Sequence, residues 1–255
     1  MSPPLFWVDE APSAGTEIEL TGAEGRHAVT VTRIAVGEQI LLGDGRGASA
    51  HCEVSAIRGK DTLRARALQY RFADRPRPLV TVVQALPKSE RSELFVELAT
   101  EAGADVIVPW QSSRSVARWV GSKAQKGVAK WRATASAAAK QSRRAWIPEV
   151  ADLASTTDVR ARCAQVIDEG GIVVALHESG DESFGSFPFR TAPHVLLVVG
   201  PEGGLSEEEL TDLSALGAHV AVLGQQVLRT STAAAVALGA LGALTDRWDP
   251  ERGTP

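Results

Sequence analysis

The sequence predicts an α/β protein of two domains, a small β-barrel over residues 1–75 and an α/β domain over residues 76–255. Three observations support this fold class. The first 75 residues contain short alternating β-like runs separated by turn signals. The linker Arg75-Pro76-Arg77-Pro78 then resists helix and interior strand, because proline lacks the backbone N–H group. After it, continuous apolar strands alternate with helical segments, which is typical of a parallel sheet.

The first domain is predicted to contain four strands and one short helix. Gly43-Asp44-Gly45, which follows the second predicted strand, is a tight-turn signal. This spacing fits a small β-barrel better than a βα unit. The predicted strands are Glu17–Leu20, Gln39–Leu42, Ala50–Ile57 and Thr62–Tyr70, and the predicted helix is Gly25–Ile34.

The second domain should alternate strands and helices. We expect Ser89 to cap a helix that buries Leu94, Phe95 and Leu98 and stops at Gly103. Ser206-Glu207-Glu208-Glu209 is a capping box, with further acids at the positive end of the helix dipole. The other predicted elements are the strands Leu79–Ala85, Ala104–Pro109, Gly171–Leu176, His194–Val199 and Ala218–Leu223, the basic helix Lys123–Gln141 and a last helix from Thr230 to about Leu244.

Positive charge is concentrated in one segment of an acidic protein. The chain has 27 Lys/Arg and 31 Asp/Glu, a net charge of −4, yet residues 110–150 carry nine basic residues and one acidic residue. Trp110, Trp119, Trp131 and Trp146 lie in the same segment. One interpretation is nucleic-acid contact through phosphates and stacked bases. The other is a solvated amphipathic helix anchored in the core by tryptophans, and Trp131 at least is expected in the core.

Composition excludes several classes of protein. An apolar fraction of 44% and a charged fraction of 23% are those of an ordinary globular protein. Cys52 and Cys163 lie far apart, so neither a disulfide framework nor a zinc knuckle is expected, which suits a reducing compartment. The N-terminus does not resemble a signal peptide, and the longest apolar run, Ala233 to Leu244, falls short of the ~20 residues that span a bilayer. We therefore expect a cytoplasmic protein with no membrane association.

The residues do not indicate a metal site or a common nucleotide site. The histidines are scattered, with none at i, i+4 or beside a carboxylate cluster. No G-x-S-x-G, P-loop or G-x-G-x-x-G sequence occurs. The five histidines are His27, His51, His177, His194 and His219.

Two glycine-marked segments follow predicted strands. Val199-Gly200-Pro201-Glu202-Gly203-Gly204 leaves one strand, and the segment from Leu223-Gly224 to Arg229-Thr230 leaves the next. Ligands of open α/β sheets bind outside the carboxyl ends of strands, where glycine permits close backbone approach. A tight turn with no ligand is an equally good interpretation of the first segment alone. Two such loops, one with a lone arginine, favour a binding site.

These two segments resemble the closing motifs of the SPOUT methyltransferases, and most closely those of the RsmE family, which methylates N3 of one uridine in small-subunit ribosomal RNA. Other motifs agree in the same order along the whole chain. They are His27-Ala28 with Arg33, Lys88 followed by Glu101-Ala102-Gly103-Ala104, and Ala139-Lys140-Gln141-Ser142-Arg143-Arg144 with Ile147-Pro148.

The resemblance implies a PUA-like, RNA-binding β-barrel followed by a SPOUT domain with a C-terminal trefoil knot, and an S-adenosyl-L-methionine site over about residues 171–245. It also implies a homodimer that acts on 16S rRNA of the small ribosomal subunit, without a metal. The implied cofactor-binding residues are Leu176, His177, Val199, Gly200, Glu202, Gly204, Leu223, Gly224, Val227 and Leu228. The residues expected to contact RNA are Arg26, Arg33, Arg114, Arg118, Lys123, Lys126, Lys130, Arg143 and Arg144.

The chemistry of this reaction indicates a catalytic cation. As N3–H of uracil loses its proton, negative charge develops on N3 and the flanking oxygens, and Arg229 is our candidate for stabilising that charge. A structural cap or ion pair is the alternative role for Arg229. Family members often have glutamate where this chain has Ser231. Glu202 is the nearest alternative carboxylate, unless no side-chain base is needed.

Two other functions stay open at this point. One is a SPOUT enzyme that acts on tRNA or on a ribose 2′-OH, against which the barrel-first order and the A-x-Q-S-x-R segment argue. The other is a catalytically silent RNA-binding or ribosome-assembly factor, which Ser231 favours.

Overall fold

The computed structural model describes residues 3–88 and 91–249. The described chain forms two compact units. The first comprises residues 3–75 together with residues 139–147, and the second comprises residues 76–138 and 148–249. The short segment 139–147 therefore packs with the N-terminal unit, although it lies far from it in sequence. No helix in the described ranges is long and apolar enough to cross a membrane.

The first unit contains a five-stranded sheet with the strand order β1-β3-β4-β5-β2. Strands β1 and β3 are parallel, and the other neighbours are antiparallel. In β4 buried residues alternate with more exposed ones, as the period of two in a strand requires. The elements are β1 (Leu5–Trp7), β2 (Glu17–Leu20), β3 (Gln39–Gly43), β4 (Ala48–Arg58), β5 (Thr62–Phe72), α1 (Gly22–Arg26) and a π-helical turn over His27–Thr32. The four predicted strands are confirmed, whereas the three-residue β1 was not predicted.

Residues 139–147 are held in the first unit by polar contacts. The Lys140 ammonium donates to Glu24 Oε2 at 2.6 Å and lies 3.1 Å from His27 Nδ1. The Trp146 indole N–H donates to the carbonyl of Ala73 at 2.8 Å, and its ring lies against Gly47, whose φ of +102° suits glycine. Two motif segments that are distant in sequence, around His27 and Lys140, therefore meet in one unit.

The second unit contains a seven-stranded parallel sheet with the strand order β10-β12-β9-β11-β6-β7-β8. The strands are β6 (Leu79–Ala85), β7 (Val106–Trp110), β8 (Glu149–Val150), β9 (Ile172–Leu176), β10 (Glu182–Ser183), β11 (His194–Val199) and β12 (His219–Val222). The helices are α2 (Ser92–Glu101), α3 (Ser122–Gln141), α4 (Thr156–Asp168), α5 (Glu207–Ala215) and α6 (Thr230–Leu244). The predicted continuous apolar strands and the bounds of the last helix are confirmed.

Helices cover both faces of this sheet. Val80 and Val82 of β6 belong to one core cluster and Val83 and Ala85 to another, because successive side chains of a strand point to opposite faces. Helices α2, α3 and α6 contribute to the first cluster, in which Trp131 is 1% exposed. Helices α4 and α5 contribute to the second. The prediction that Trp131 is a core residue is confirmed.

The expected buried face of α2 is partly wrong. Leu94 is 43% exposed and Leu98 is half-buried, whereas Phe95 is fully buried together with Val96 and Ala99. The helix begins at Ser92, and its phase places positions 92, 95, 96 and 99 on one side. The predicted cap, Ser89, lies outside the described residues.

Helix α4 was not predicted, although its signal was present. Ser155 and Asp158 form a reciprocal capping box at its start, and the Ser155 hydroxyl accepts the N–H of Asp158. The predicted capping box of α5 is confirmed, with the Ser206 hydroxyl accepting the N–H of Glu209.

Candidate functional site at the carboxyl ends of four strands

The carboxyl ends of four neighbouring strands lie in one row. Val199 of β11 pairs with Gln84 of β6 and with Leu176 of β9, which in turn pairs with Ala221 of β12. Neighbouring strands are about 4.8 Å apart, so the row is about 14 Å long. The loops that follow β9, β11 and β12 therefore start side by side, and they bring together the predicted residues Leu176, His177, Val199, Gly200, Leu223 and Gly224.

The loop after β11 is a tight turn built on glycine. A Cβ atom on Gly200 would lie 2.9 Å from the Leu205 nitrogen, so a larger residue would force this turn open. Gly204 has a φ of +69°, which suits glycine, and a Cβ atom there would lie 3.5 Å from the imidazole of His177. The Gly204 N–H donates to the carbonyl of Pro201 at 2.9 Å. Gly200 is buried and closely packed, whereas Gly203 is exposed and Gly204 is half-buried, so a ligand can approach the turn at these last two glycines.

Hydrogen bonds to two neighbouring segments brace this loop. Glu202 Oε1 accepts the N–H of Lys88 at 3.0 Å, which joins the loop to the segment after β6. The Arg114 guanidinium donates to the carbonyls of Gly203 at 3.1 Å and Leu205 at 3.0 Å. These contacts hold the loop after β11 to its neighbours. This role of Arg114 could not be predicted from the sequence, because Arg114 and the carbonyls it binds are about 90 positions apart.

Glu209 adds a buried brace at the start of α5. It is 4% exposed, and its Oε1 accepts the N–H of Ser113 at 2.9 Å while its Oε2 accepts the N–H of Ser206. A buried carboxylate is stable when its oxygens accept hydrogen bonds in this way. The loop after β7 and the loop after β11 are therefore locked to each other.

The loop after β12 is held by the packing of two leucines and not by hydrogen bonds to the described residues. Within the described parts of the chain, residues 223–228 make no hydrogen bond. Leu223 and Leu228 pack against the core, and residues 224–227 are exposed. Backbone N–H and C=O groups require a partner, which here is solvent or a ligand. This loop accordingly offers the unpaired backbone groups that a bound cofactor could use.

The residue that ends this loop is tied to the row of strand ends. The Thr230 hydroxyl donates to the carbonyl of Gly200 at 2.6 Å and accepts the amide N–H of Gln84 at 2.8 Å. Gln84 is fully buried, and Thr230 is 7% exposed. Neither residue was singled out from the sequence. From the sequence, Thr230 is predictable only as the first residue of the last helix. Its side chain bonds Gln84 and Gly200, which are distant in the chain, and no local pattern predicts such contacts.

Arg229 immediately precedes α6 and is exposed. Its side chain caps no backbone group of the helix, and it makes no ion pair with the described residues. The structural alternative weighed for Arg229 therefore has no support in this region of the chain. Ser231 is 1% exposed and faces inward. Glu202 is exposed beside the glycine turn.

The residues expected to contact RNA do not lie in one unit. Arg26, Arg33, Arg143 and Arg144 belong to the first unit, and the other five belong to the second. All are exposed except Arg144, which is half-buried. Three of those in the second unit have protein partners, namely Arg114 in its loop brace, Arg118 on the carbonyl of Ser113, and Lys130 in a 3.0 Å ion pair with Glu93.

The tryptophans of the basic segment serve packing. Trp110 and Trp131 are each 1% exposed, and Trp119 packs edge-on against Trp131 within the second unit. Trp146 packs edge-on against Phe72 within the first unit. Among the described residues, no group of three His, Cys, Asp or Glu side chains could hold a metal ion.

Comparisons with known proteins agree with this geometry. Residues 74–242 match the family model of an RNA methyltransferase domain, and residues 20–68 match that of an RNA methyltransferase PUA domain. The chain is similar to ribosomal RNA small subunit methyltransferase E of Mycobacterium tuberculosis, with 51% identity over 96% of this chain and 93% of that protein. For the protein of the same name from Bacillus subtilis, the identity is 33% over 94% of this chain and 93% of that protein.

Solved structures show the same likeness. The structure of ribosomal RNA small subunit methyltransferase E from Neisseria gonorrhoeae bound to S-adenosyl methionine has a TM-score of 0.84 and 25% identity, covering 96% of this chain and 98% of that chain. A methyltransferase from Legionella pneumophila in complex with the same cofactor has a TM-score of 0.82 and 27% identity, covering 96% and 99%.

Proposed function

Because the chain belongs to the ribosomal RNA small subunit methyltransferase E family, we propose that it transfers a methyl group from S-adenosyl-L-methionine to N3 of one uridine in 16S rRNA of the small ribosomal subunit. One observation carries this proposal. Three loops meet at the carboxyl ends of β9, β11 and β12, and the last of them has unpaired backbone groups.

The residues present fit the cofactor. Gly203 and Gly204 are the accessible glycines of the turn after β11, and residues 223–228 offer N–H and C=O groups in the loop after β12. We assign cofactor contacts to the backbone groups of Leu176, His177, Val199, Gly200, Glu202, Gly204, Leu223, Gly224, Val227 and Leu228. When bound, the cofactor supplies an electrophilic methyl group on a sulfonium.

Arg229 is the catalytic cation in this proposal. It stands at the junction of the cofactor loop and α6, exposed and without a protein carboxylate beside it in the described chain. The guanidinium stabilises the negative charge that develops on the uracil oxygens as N3 loses its proton. The uridine must be unpaired for this, because its N3–H is otherwise used in Watson–Crick pairing.

We assign the proton of N3 to Glu202 or to solvent. Oxygen Oε1 of Glu202 accepts the N–H of Lys88, so Oε2 is the oxygen for this role. The variant Glu202→Gln separates the two functions, since the amide oxygen still accepts from Lys88 but the side chain takes no proton. A fall in kcat with unchanged cofactor affinity supports Glu202, and an unchanged kcat assigns the proton to solvent.

RNA is held by the basic residues of both units, the N-terminal unit acting as a PUA-like RNA-binding domain. We expect Arg143→Ala with Arg144→Ala to weaken RNA binding and to reduce the slope of log affinity against log salt by roughly 1–2, since each phosphate contact contributes up to about 0.9. Cofactor affinity should not change. The matched control is Arg160→Ala with Arg162→Ala, two exposed arginines of α4 outside the basic segment. Equal salt slopes for the two double variants would contradict the assignment.

A trefoil knot over about residues 171–245 is part of the proposal. It is supported by the strand order, since β12 lies between β9 and β10, which both precede it in the chain. Helix α6 then packs against the turns Phe184–Ser186 and Phe189–Thr191 of the segment between β10 and β11. Stretching the unfolded chain by its ends should give a contour shorter than that of 255 residues. The full contour would exclude a knot.

A homodimer in the cytoplasm completes the proposal. Exposed valines in the second unit support a second copy of the chain as partner, with Val116 at 72%, Val120 at 73% and Val227 at 76%. Apolar surface of this kind can mark an interface between proteins. Sedimentation velocity at micromolar concentration tests this, and a monomer at every concentration would contradict it.

The experiment that tests the reaction is transfer of labelled methyl groups to small ribosomal subunits that lack the modification, with naked rRNA and tRNA in parallel. Label at N3 of a single uridine in 16S rRNA is the expected result. Label only on tRNA, or only on a ribose 2′-OH, would place the enzyme in another SPOUT branch. Cofactor binding without transfer to any RNA would indicate a silent RNA-binding factor.

A further inference from the structure

A chain of two buried hydrogen bonds joins β6, the glycine turn after β11 and α6. The Gln84 amide nitrogen only donates, so the Thr230 oxygen accepts from it, and the single Thr230 hydroxyl proton goes to the carbonyl of Gly200. The donor and the acceptor of each of these two hydrogen bonds are therefore determined. The Gln84 nitrogen also donates to the carbonyl of Ala85 at 2.9 Å.

An amide at this place in the sheet needs an explanation. Gln84 lies among the fully buried apolar residues Val82, Val83 and Ala85 of β6, and its Oε1 has no partner among the described residues. Burying an amide that is only partly hydrogen-bonded is unfavourable compared with an apolar side chain. Because Gln84 is fully buried on its strand, it cannot reach an RNA substrate. It acts only through the groups it bonds, and Thr230 is the side chain among them.

After the end of β12, Thr230 is the first described residue that is bonded to an element other than α6, since Arg229 is bonded only through its carbonyl, which accepts from Thr232 and Ala233 of that helix. Residues 223–228 make no hydrogen bond in the described chain, and Arg229 is extended, with φ −69° and ψ 147°. Thr230 lies eight positions after Val222, and a chain of that length reaches up to about 28 Å. The position of Arg229 is therefore set by the first turn of α6, which bonds its carbonyl, and Thr230 ties that turn to the sheet about 3.8 Å away from Arg229, measured between Cα atoms.

The rest of α6 is held without this hydroxyl. Ala234, Ala237, Leu238 and Leu241 are buried in the core of the second unit. Loss of the Thr230 hydroxyl should therefore leave the helix folded and change the placement of its first turn and of the preceding loop. This separates a positioning role from a role in folding.

We propose that Thr230, oriented by Gln84, is a positioning residue that holds the cofactor loop 223–228 and Arg229 against the Gly200 turn. This inference rests on the proposed function. It assigns to the Thr230 hydroxyl no contact with substrate, only the placement of the groups that make such contacts. A misplacement of a reacting group by about 1 Å lowers turnover on the order of 10²-fold.

The test compares Thr230→Val, which replaces the hydroxyl by a methyl group, with Thr230→Ser, which keeps the hydroxyl. Gln84→Met tests the other end of the chain. The matched control is Thr81→Val, since Thr81 is a 4% exposed threonine near the start of β6 that bonds His194 and lies away from the row of strand ends. Cofactor Kd by calorimetry, kcat, KM for RNA and Tm are measured for each variant.

We expect Thr230→Val to raise the cofactor Kd and to lower kcat on the order of 10²-fold with little change in KM for RNA. Thr230→Ser should stay within about threefold of the parent, Gln84→Met should resemble Thr230→Val in direction, and Thr81→Val should lower Tm alone. If Thr230→Val lowers Tm as Thr81→Val does and leaves both Kd and kcat unchanged, the hydroxyl is only structural and the inference is wrong. Failure of the parent chain to bind the cofactor would instead overturn the proposed function.

Discussion

The buried ion pair between Arg247 and Asp105 offers the sharpest prediction about stability. Arg247 follows α6 and donates to Asp105 Oδ2 at 2.9 Å, with side-chain exposures of 5% and 1%. The same guanidinium donates to the carbonyls of Pro76, Pro78 and Gly103. One side chain therefore ties the end of the second unit to the beginning of its first strand and to the end of α2.

The perturbation is Arg247→Met, which keeps much of the volume but removes the charge. Breaking a buried pair leaves an uncompensated carboxylate and typically destabilises by 3–5 kcal/mol. Asp105 keeps the N–H of Val80, which donates to Oδ2 at 2.8 Å, so we expect the lower end, about 3 kcal/mol. With a urea m-value of about 2 kcal/mol per M, the unfolding midpoint should fall by roughly 1.5 M.

The assay is urea unfolding of the second unit, followed by the fluorescence of the buried tryptophans and by circular dichroism. The matched control is Arg160→Met, because Arg160 pairs with Asp212 at 3.1 Å across the surface of the same unit and is 48% exposed. Exposed pairs contribute about 0–1 kcal/mol. Asp105→Asn combined with Arg247→Met should recover part of the loss, since no charge is then left buried. Equal midpoint shifts for Arg247→Met and Arg160→Met would refute the reasoning.

Three further predictions concern single side chains. Burial lowers the pKa of His194 in the folded protein. The contribution of the neutral imidazole to stability is therefore complete above about pH 6.5 and is lost as the pH falls through the folded-state pKa. Between about pH 7.5 and 5.5, Tm should drop more for the parent than for His194→Gln. Burial raises the pKa of Cys52 to about 11 and that of Cys163 to about 12, so neither thiol should react with an alkylating reagent in the native protein, and rapid native labelling would contradict this. Because Arg114 holds the loop after β11, Arg114→Met should weaken cofactor binding severalfold. The slope of log RNA affinity against log salt should not change. A loss of about 0.7–0.9 in that slope would instead show that Arg114 contacts a phosphate.

Most elements of the fold could be predicted from local signals. Helix α6 begins at Thr230 and ends at Leu244, as expected, and the Ser206 capping box forms. Such signals act over a few residues, so they do not depend on the rest of the chain. The same locality explains the failures. The three-residue β1 is too short to show a period, and the buried face of α2 depends on where the helix begins.

The candidate site was predicted in part. Its three loops were expected from glycine segments and from the family resemblance, and the strand register places the loops side by side. The braces and tethers were not expected. Arg114 was assigned to RNA because it lies in a basic segment, and nothing in its neighbourhood shows that the carbonyls of Gly203 and Leu205 lie within its reach.

The sequence by itself determined the strands and helices, the glycine turns and the family to which they belong. Only the tertiary structure decided which groups meet. Gln84 and Thr230 are 146 positions apart, and they bond because β6 and β11 are neighbours in the sheet, although three helices and four strands separate these two strands in the chain. The physical reason is that a parallel sheet places strand ends by the packing of whole layers, which no local pattern encodes.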